Sequence, residues 1–250
     1  MKKQEQGEIV IERLTVGTAS VWIKGQTPMI YNSMSAKVKR ELLMPKGRKT
    51  AADKAQNLKH DPIEEFRSSV YRARETNGPT TLAFPCGAVK AAMCNAALEI
   101  PGAKKAQVGR LVWVEGETVD VYGVPQLLMS VTRSADMNKT PDIRTRAILH
   151  AWCCMVTVRF VMPTMNETTI ARLLETAGLV IGFGDFRQEK GKGNYGQFTL
   201  ADSSDPEVLE LIESGGKKTQ DKALANPVAY DHESKELLEW YLVERKARGR

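Results

Sequence analysis

No run of apolar residues in this 250-residue chain approaches the roughly 20 that a membrane-spanning helix needs, and its lysine-rich start lacks the apolar stretch of a secretory signal. The expectation is a cytoplasmic protein with no membrane partner. Metal chemistry is equally sparse. The four cysteines, Cys86, Cys94, Cys153 and Cys154, include no C-x-x-C pair and have no histidine at ligand spacing. Adjacent thiols on a strand point to opposite faces, so buried free thiols are expected, with no metal and no cofactor. No internal repeat or low-complexity tract is present. Ser214-Gly215-Gly216-Lys217-Lys218-Thr219 misses the spacing of a phosphate-binding loop and follows no strong strand, so it reads as a linker.

What the chain does have is positive charge in clusters. The net charge of +6 by itself suggests an anionic partner only weakly; its distribution says more. One cluster gathers Lys37, Lys39, Arg40, Lys46, Arg48 and Lys49 against Glu41 alone, and a second holds Arg133, Lys139, Arg144 and Arg146. Arg187, Lys190 and Lys192 form a third, inside the segment GFGDFRQEKGKGNYGQF at 182–198, which contains five glycines.

Alternating apolar residues over 8–31 (Ile9, Ile11, Leu14, Val16, Val21, Ile23) predict one or two strands at the N-terminal edge of a sheet. A helix is bounded by Asp61 as N-cap, Pro62 at its first position, Glu64 in a capping box, and Asn77-Gly78-Pro79 as its end. Thr80 to Phe84 is β-prone, and after Pro85-Cys86-Gly87 an Ala-rich helix runs to Leu98. Further strands are expected at 110–115, 118–122, 125–132 and 150–162, with 133–147 as a polar, basic interruption. Asn166 caps a helix carrying Ile170, Leu173, Leu174 and Ala177 and closed by Gly178, which leads into the glycine segment between strands. Beyond Ala201 come a short helix at Asp205-Pro206-Glu207 and an amphipathic one over 232–246. The class is α+β with a mostly antiparallel sheet, divided into a core (1–201) and a C-terminal helical extension (202–250).

The glycine segment admits three readings. A dinucleotide fingerprint would need a third glycine where Arg187 stands, and a helix afterwards where the strand-like Gln197-Phe198-Thr199-Leu200 follows. A surface hairpin with solvated charges needs nothing further. A loop lying on a nucleic-acid backbone would use Gly193 for close approach, Arg187, Lys190 and Lys192 for phosphates, and Tyr195 for a stacked base.

The positions Gly182, Gly184, Arg187, Lys190, Gly193, Tyr195, Gly196 and Phe198 resemble the C-terminal glycine-rich loop of the RAMP superfamily of CRISPR-associated proteins. Leu82 to Ala92, a strand, a proline turn and a helix start carrying Lys90, is similar to that superfamily's first-helix motif, with Cys86 and Gly87 near where a serine is usual. The resemblance implies a ferredoxin-like, RNA-recognition-motif core with basic insertions at about 33–60 and 132–147. It also implies a backbone subunit of a guide-RNA effector complex that binds single-stranded RNA, assembles head to tail with copies of itself and meets other effector subunits.

A stand-alone phage or mobile-element protein coating single-stranded DNA or RNA is the alternative. Metal-independent RAMP ribonucleases use a histidine base. Only His60, His150 and His232 are available, each read as a structural or surface residue, and no catalysis is expected.

Overall fold

The computed structural model describes residues 13–34, 43, 60–133, 140–190 (190 for its backbone) and 193–248. In chain order its elements are β1 (Thr15–Gly25), β2 (Met29–Ile30), α1 (Pro62–Ser69), β3 (Tyr71–Arg72), β4 (Leu82–Pro85), α2 (Cys86–Ala96), α3 (Lys105–Leu111), β5 (Val112–Val114), β6 (Thr118–Tyr122), β7 (Pro125–Arg133) and β8 (Pro141–Leu149). There follow β9 (Cys153–Met162), α4 (Glu167–Thr176), β10 (Phe198–Ala201), α5 (Pro206–Ser214), α6 (Lys217–Ala225) and α7 (His232–Ala247). The class is mixed α+β, as the sequence implies, and every ladder between named strands is antiparallel. One seven-stranded, strongly curled sheet runs β10-β1-β9-β6-β4-β3 with β5 also on β9, and a three-stranded sheet runs β2-β8-β7. Among the described residues, no helix is long and apolar enough to cross a membrane.

Strand alternation sends one set of side chains inward. Ala19, Val21 and Ile23 of β1, Cys154, Val156, Val158 and Phe160 of β9, and Val119 and Val121 of β6 meet Val89, Ala92 and Met93 of α2 and Ile170, Leu173 and Leu174 of α4 in one apolar core. All four thiols are free and buried. Burial, with a smaller contribution from Asp205, pushes the Cys153 thiol up to about 12.

The two helix starts read from caps are present: Asp61 accepts from the Glu64 N–H at 3.2 Å and Asn166 from the Thr169 N–H at 2.8 Å. Several expectations are corrected. β1 is not the sheet edge, because β10 pairs with its Trp22–Gly25 half. α1 stops at Ser69 rather than at 77, because Val70 is extended and buried and Tyr71-Arg72 pair with Ala83-Leu82. The stretch 110–115 is divided between the end of α3 and β5.

The interruption at 133–147 contains most of β8, held in register with β7 from Pro125↔Leu149 to Arg133↔Pro141. The run Ala177–Ile181 is a π-helical turn continuing α4, so no strand precedes the glycines, and the helix end falls at Gly182 (φ +75°) rather than at Gly178. Lys217 and Lys218 open α6 instead of lying in a linker, because the Lys217 N–H is bonded to the Pro79 carbonyl.

α6 is fastened through Gln220, which is fully buried. Its Oε1 accepts from the N–H groups of Thr81 (2.7 Å) and Leu82 (2.9 Å), and its Nε2 donates to the carbonyls of Val121 (2.8 Å) and Gly215 (2.7 Å). One side chain thereby satisfies the backbone of β4, β6 and the α5–α6 junction. Gln220→Leu, which keeps the bulk and orphans these groups, is expected to destabilise the protein by about 3 kcal/mol. The check is a lowered urea midpoint at constant m-value.

Candidate nucleic-acid interface

Lys37, Lys39, Arg40, Lys46, Arg48, Lys49, Lys139 and Lys192 lie outside the described residues, as does the side chain of Lys190. The remaining sequence-derived positions fall in three places. Lys90 sits on α2 near Cys94 and Lys105 of α3. Arg133 and Arg144 are exposed on the β7–β8 hairpin. Register puts Arg144 opposite Ser130 and Arg133 opposite Pro141, an odd number of residues apart along each strand, so the two arginines occupy opposite faces.

Arg146, on the Arg144 face, is only 3% exposed. It is paired with the Asp185 carboxylate, donates to Ser130 Oγ at 2.8 Å, and lies 5.0 Å over the Phe186 ring. Burial lowers its pKa, and Asp185 opposes that shift. Arg187 is likewise engaged, with Glu189 at 2.7 Å and the Gly184 carbonyl at 3.1 Å.

The glycine segment is folded onto the body of the protein. The Phe183 N–H is bonded to the Gly196 carbonyl, the Gly196 N–H to Pro28, and the Asp185 N–H to Ile30. The Phe183 ring is buried against Phe198 (4.4 Å between centroids), Phe84 (5.0 Å) and Trp152 (6.0 Å). Gly196 adopts φ +75°, and a Cβ on Gly193 would collide with the Phe186 carbonyl. Here the close backbone approach that glycine permits is to the protein's own chain. Tyr195, half-buried, packs on Ile30, Leu128 and Ile148.

A second surface is built by residues the basic clusters do not mark. The even-numbered side chains of β1 and the odd-numbered ones of β9 point away from the helices. Register places Thr18 beside Arg159, Ser20 beside Thr157 and Trp22 beside Met155, and continues from Arg159 to Trp113 on β5. The Arg159 guanidinium lies 5.4 Å over the Trp113 ring, the Ser20 and Thr157 hydroxyls are 2.9 Å apart, and the Trp22 and Tyr122 rings are 6.1 Å apart. Met155 is 48% exposed between them.

α5 closes one end of this face. Lys24 is bonded to Asp205 (2.8 Å) and Glu207 (3.1 Å), and Val208 is buried beside Cys153. The open part spans about 13 Å along the strands between the Trp22 and Thr18 rows and ~10 Å across them. The sequence signal for it is an aromatic or cationic residue on the solvent phase of an alternating strand: Trp22 between Val21 and Ile23, Trp113 between Val112 and Val114, Arg159 between Val158 and Phe160.

The three histidines stand in different settings. His60 is held between Glu65 (2.7 Å) and Asp142 (3.0 Å), joining α1 to β8; His150 faces Tyr230; and His232 opens α7. No protein-family model matches the chain, and no curated protein matches its sequence.

The packing at Gly193 gives a direct test of what that glycine does. Gly193→Val is expected to cost about 3 kcal/mol of stability through overpacking against the Phe186 backbone, read as a lower thermal midpoint in the absence of any ligand. A variant as stable as the parent that loses only oligonucleotide affinity would assign Gly193 to the ligand instead.

Proposed function

We propose that this chain binds single-stranded nucleic acid across the open face of its large sheet. The observation that carries the reading is the cluster of Trp22, Tyr122, Met155, Trp113 and Arg159 around the Ser20–Thr157 hydroxyl pair. Aromatic rings at the solvent surface stack on bases of any sequence, a guanidinium adds phosphate neutralisation, and hydroxyls bond to sugar or base edges. A double helix presents its bases stacked inside and is a poor fit to such a platform, so the strand is single.

The order of elements supports a ferredoxin-like, RNA-recognition-motif core. β1, α2, β6, β9, α4 and β10 form a β-α-β-β-α-β series, with the last strand beside the first, the third next and the second beyond it. The β7–β8 hairpin, with Arg133 and Arg144, projects between the second and third of these strands as a basic insertion. Together with the RAMP resemblance, this favours RNA as the polymer and a backbone subunit as the role, copies lying in series along a guide strand.

The test is fluorescence anisotropy with 20-nucleotide single-stranded RNA, single-stranded DNA and duplex at several salt concentrations. Trp22→Ala and Trp113→Ala are each expected to weaken binding by about 5- to 100-fold, the loss of one stacked base. Arg159→Gln should reduce the slope of log K against log salt by about one. A parent protein that ignores every oligonucleotide in dilute buffer, or one bound equally well without both tryptophans, overturns the reading. Sequencing the strand that copurifies separates a uniform guide from the random fragments that a stand-alone coating protein would carry.

A further inference from the structure

β10 covers only part of β1. It pairs with residues 22–25, and along 15–21 the outer side of β1 has no partner among the described residues. The ladder on the other side fixes which backbone groups point there. The Gly25 N–H is bonded to the Trp152 carbonyl at 2.8 Å, so odd-numbered residues of β1 bond towards β9 and even-numbered ones away from it. Thr157, opposite Ser20, accordingly gives its carbonyl to the Glu115 N–H on its far side. Val16, Thr18 and Ser20 therefore direct their N–H and C=O groups outward. All three are exposed, Val16 at 47%, with Leu14 at 63% just before them.

An unpaired strand edge invites another strand, and proteins commonly guard it with charge, proline, a bulge or brevity. This edge has none of them. From 14 to 23 the sequence LTVGTASVWI holds no charged residue and no proline, and β1 keeps unbroken register with β9 throughout 15–24. Other outer edges are short or occupied. β3 has two residues, one of them Arg72, β10 has four, and the outer side of β7 bonds to Val228, Tyr230 and Ser234.

We propose that the same edge of a second copy occupies it, the two β1 strands lying antiparallel across a two-fold axis at Thr18, the centre of the free stretch. Val16 then faces the partner's Ser20, Thr18 faces the partner's Thr18, and each such pair exchanges two backbone hydrogen bonds. The sequence is self-complementary about that axis. On the helix side the small residues Gly17 and Ala19 meet, and a Cβ at Gly17 is excluded by the Phe160 ring. On the open face threonine meets threonine, a favourable cross-strand pair.

The charges around the edge are compatible with this pairing. Arg13, exposed just before β1, arrives at the end of the partner's β10, where the exposed Asp202 follows. Asp202 is held by the Ser204 N–H at 2.9 Å. Lys24, at the end covered by β10, is already paired with Asp205 and Glu207. Arg159 and its counterpart stand three strand spacings apart, about 14 Å, beyond the screening length of physiological salt. α4, which packs on β1, exposes Glu167, Arg172 and Glu175, so that side carries both signs. The contact is isologous and closes at two copies, so it is separate from the serial arrangement considered above. It joins two large sheets into one, and it stands whether or not their open faces bind nucleic acid.

The experiment is sedimentation velocity of the full chain, freed of nucleic acid, up to about 100 µM, a range that reveals small interfaces. The parent is expected to reach the mass of a dimer and stop there. Thr18→Pro removes the outward N–H on the axis and leaves the β9 ladder intact, a substitution that an edge strand tolerates. It should raise the dimer dissociation constant by about 10- to 100-fold, the loss of two hydrogen bonds.

Thr18→Lys and Thr18→Glu place like charges opposite each other. Each should be monomeric at a concentration where the parent is dimeric, with the parent's circular dichroism because the side chain is exposed, and their equimolar mixture should restore the dimer. A parent that stays monomeric throughout, a mass that grows past two copies, a dimer indifferent to all three substitutions, or a mixture that stays monomeric overturns the proposal. Oligonucleotide binding is tested on the Trp22 and Trp113 variants, so failure of either reading is distinguishable from failure of the other.

Discussion

Burial of Phe183 is the contact on which the arrangement of this protein depends. Its ring joins Phe84 of the large sheet's β4, Phe198 of β10, and Trp152, whose indole N–H is bonded to the Thr27 carbonyl at 3.0 Å. To bring that ring inside, the segment after α4 doubles back on itself and lies against residues 28 to 30, within hydrogen-bonding distance of Pro28 and Ile30. Such a path leaves no volume for a Cβ at Gly193 or Gly196. The same segment carries Asp185, and the Asp185–Arg146 pair ties the small sheet to it. Unpaired, Arg146 would be a buried charge with large desolvation cost; paired, it specifies how the β7–β8 hairpin sits.

This arrangement commits α2, α4 and the glycine segment to one side of the large sheet. On the other side, among the described residues, α5 packs at Lys24 and Cys153. There Met155 is exposed and Trp22, Trp113 and Arg159 are half-buried, in the two ladders that meet on β9. Large apolar and aromatic groups there contribute little to the core. On the function proposed above, a rigid strand scaffold that holds them in fixed rows would present them to the flat bases and charged backbone of a single strand.

α5, α6 and α7 form the helical extension that follows β10. That extension is attached through buried polar contacts, Gln220 with β4 and β6, and Ser234 with β7. Directional bonds of this kind position the helices while leaving their outer faces free for other contacts.

What the sequence determined by itself is what neighbouring residues decide among themselves. Asp61 and Asn166 cap helices because their carboxylate and amide oxygens reach N–H groups three residues on, and β1 and β9 form strands because their inward side chains alternate. Free, buried thiols followed from spacing and apolar context. Tertiary structure decided whatever depends on partners far along the chain. β8 reads as a polar connection because Arg144, Thr145 and Arg146 mask it, and the carboxylate that makes Arg146 buriable lies 39 residues away. α1 ends early because β4 claims Tyr71, and the glycines serve packing because the Phe186 and Phe183 backbones occupy the space beside them. The sequence marks Trp22, Trp113 and Arg159 singly and does not join them into one face, for the same reason: Ser20 and Thr157, 137 residues apart, become neighbours only when the ladder sets its register.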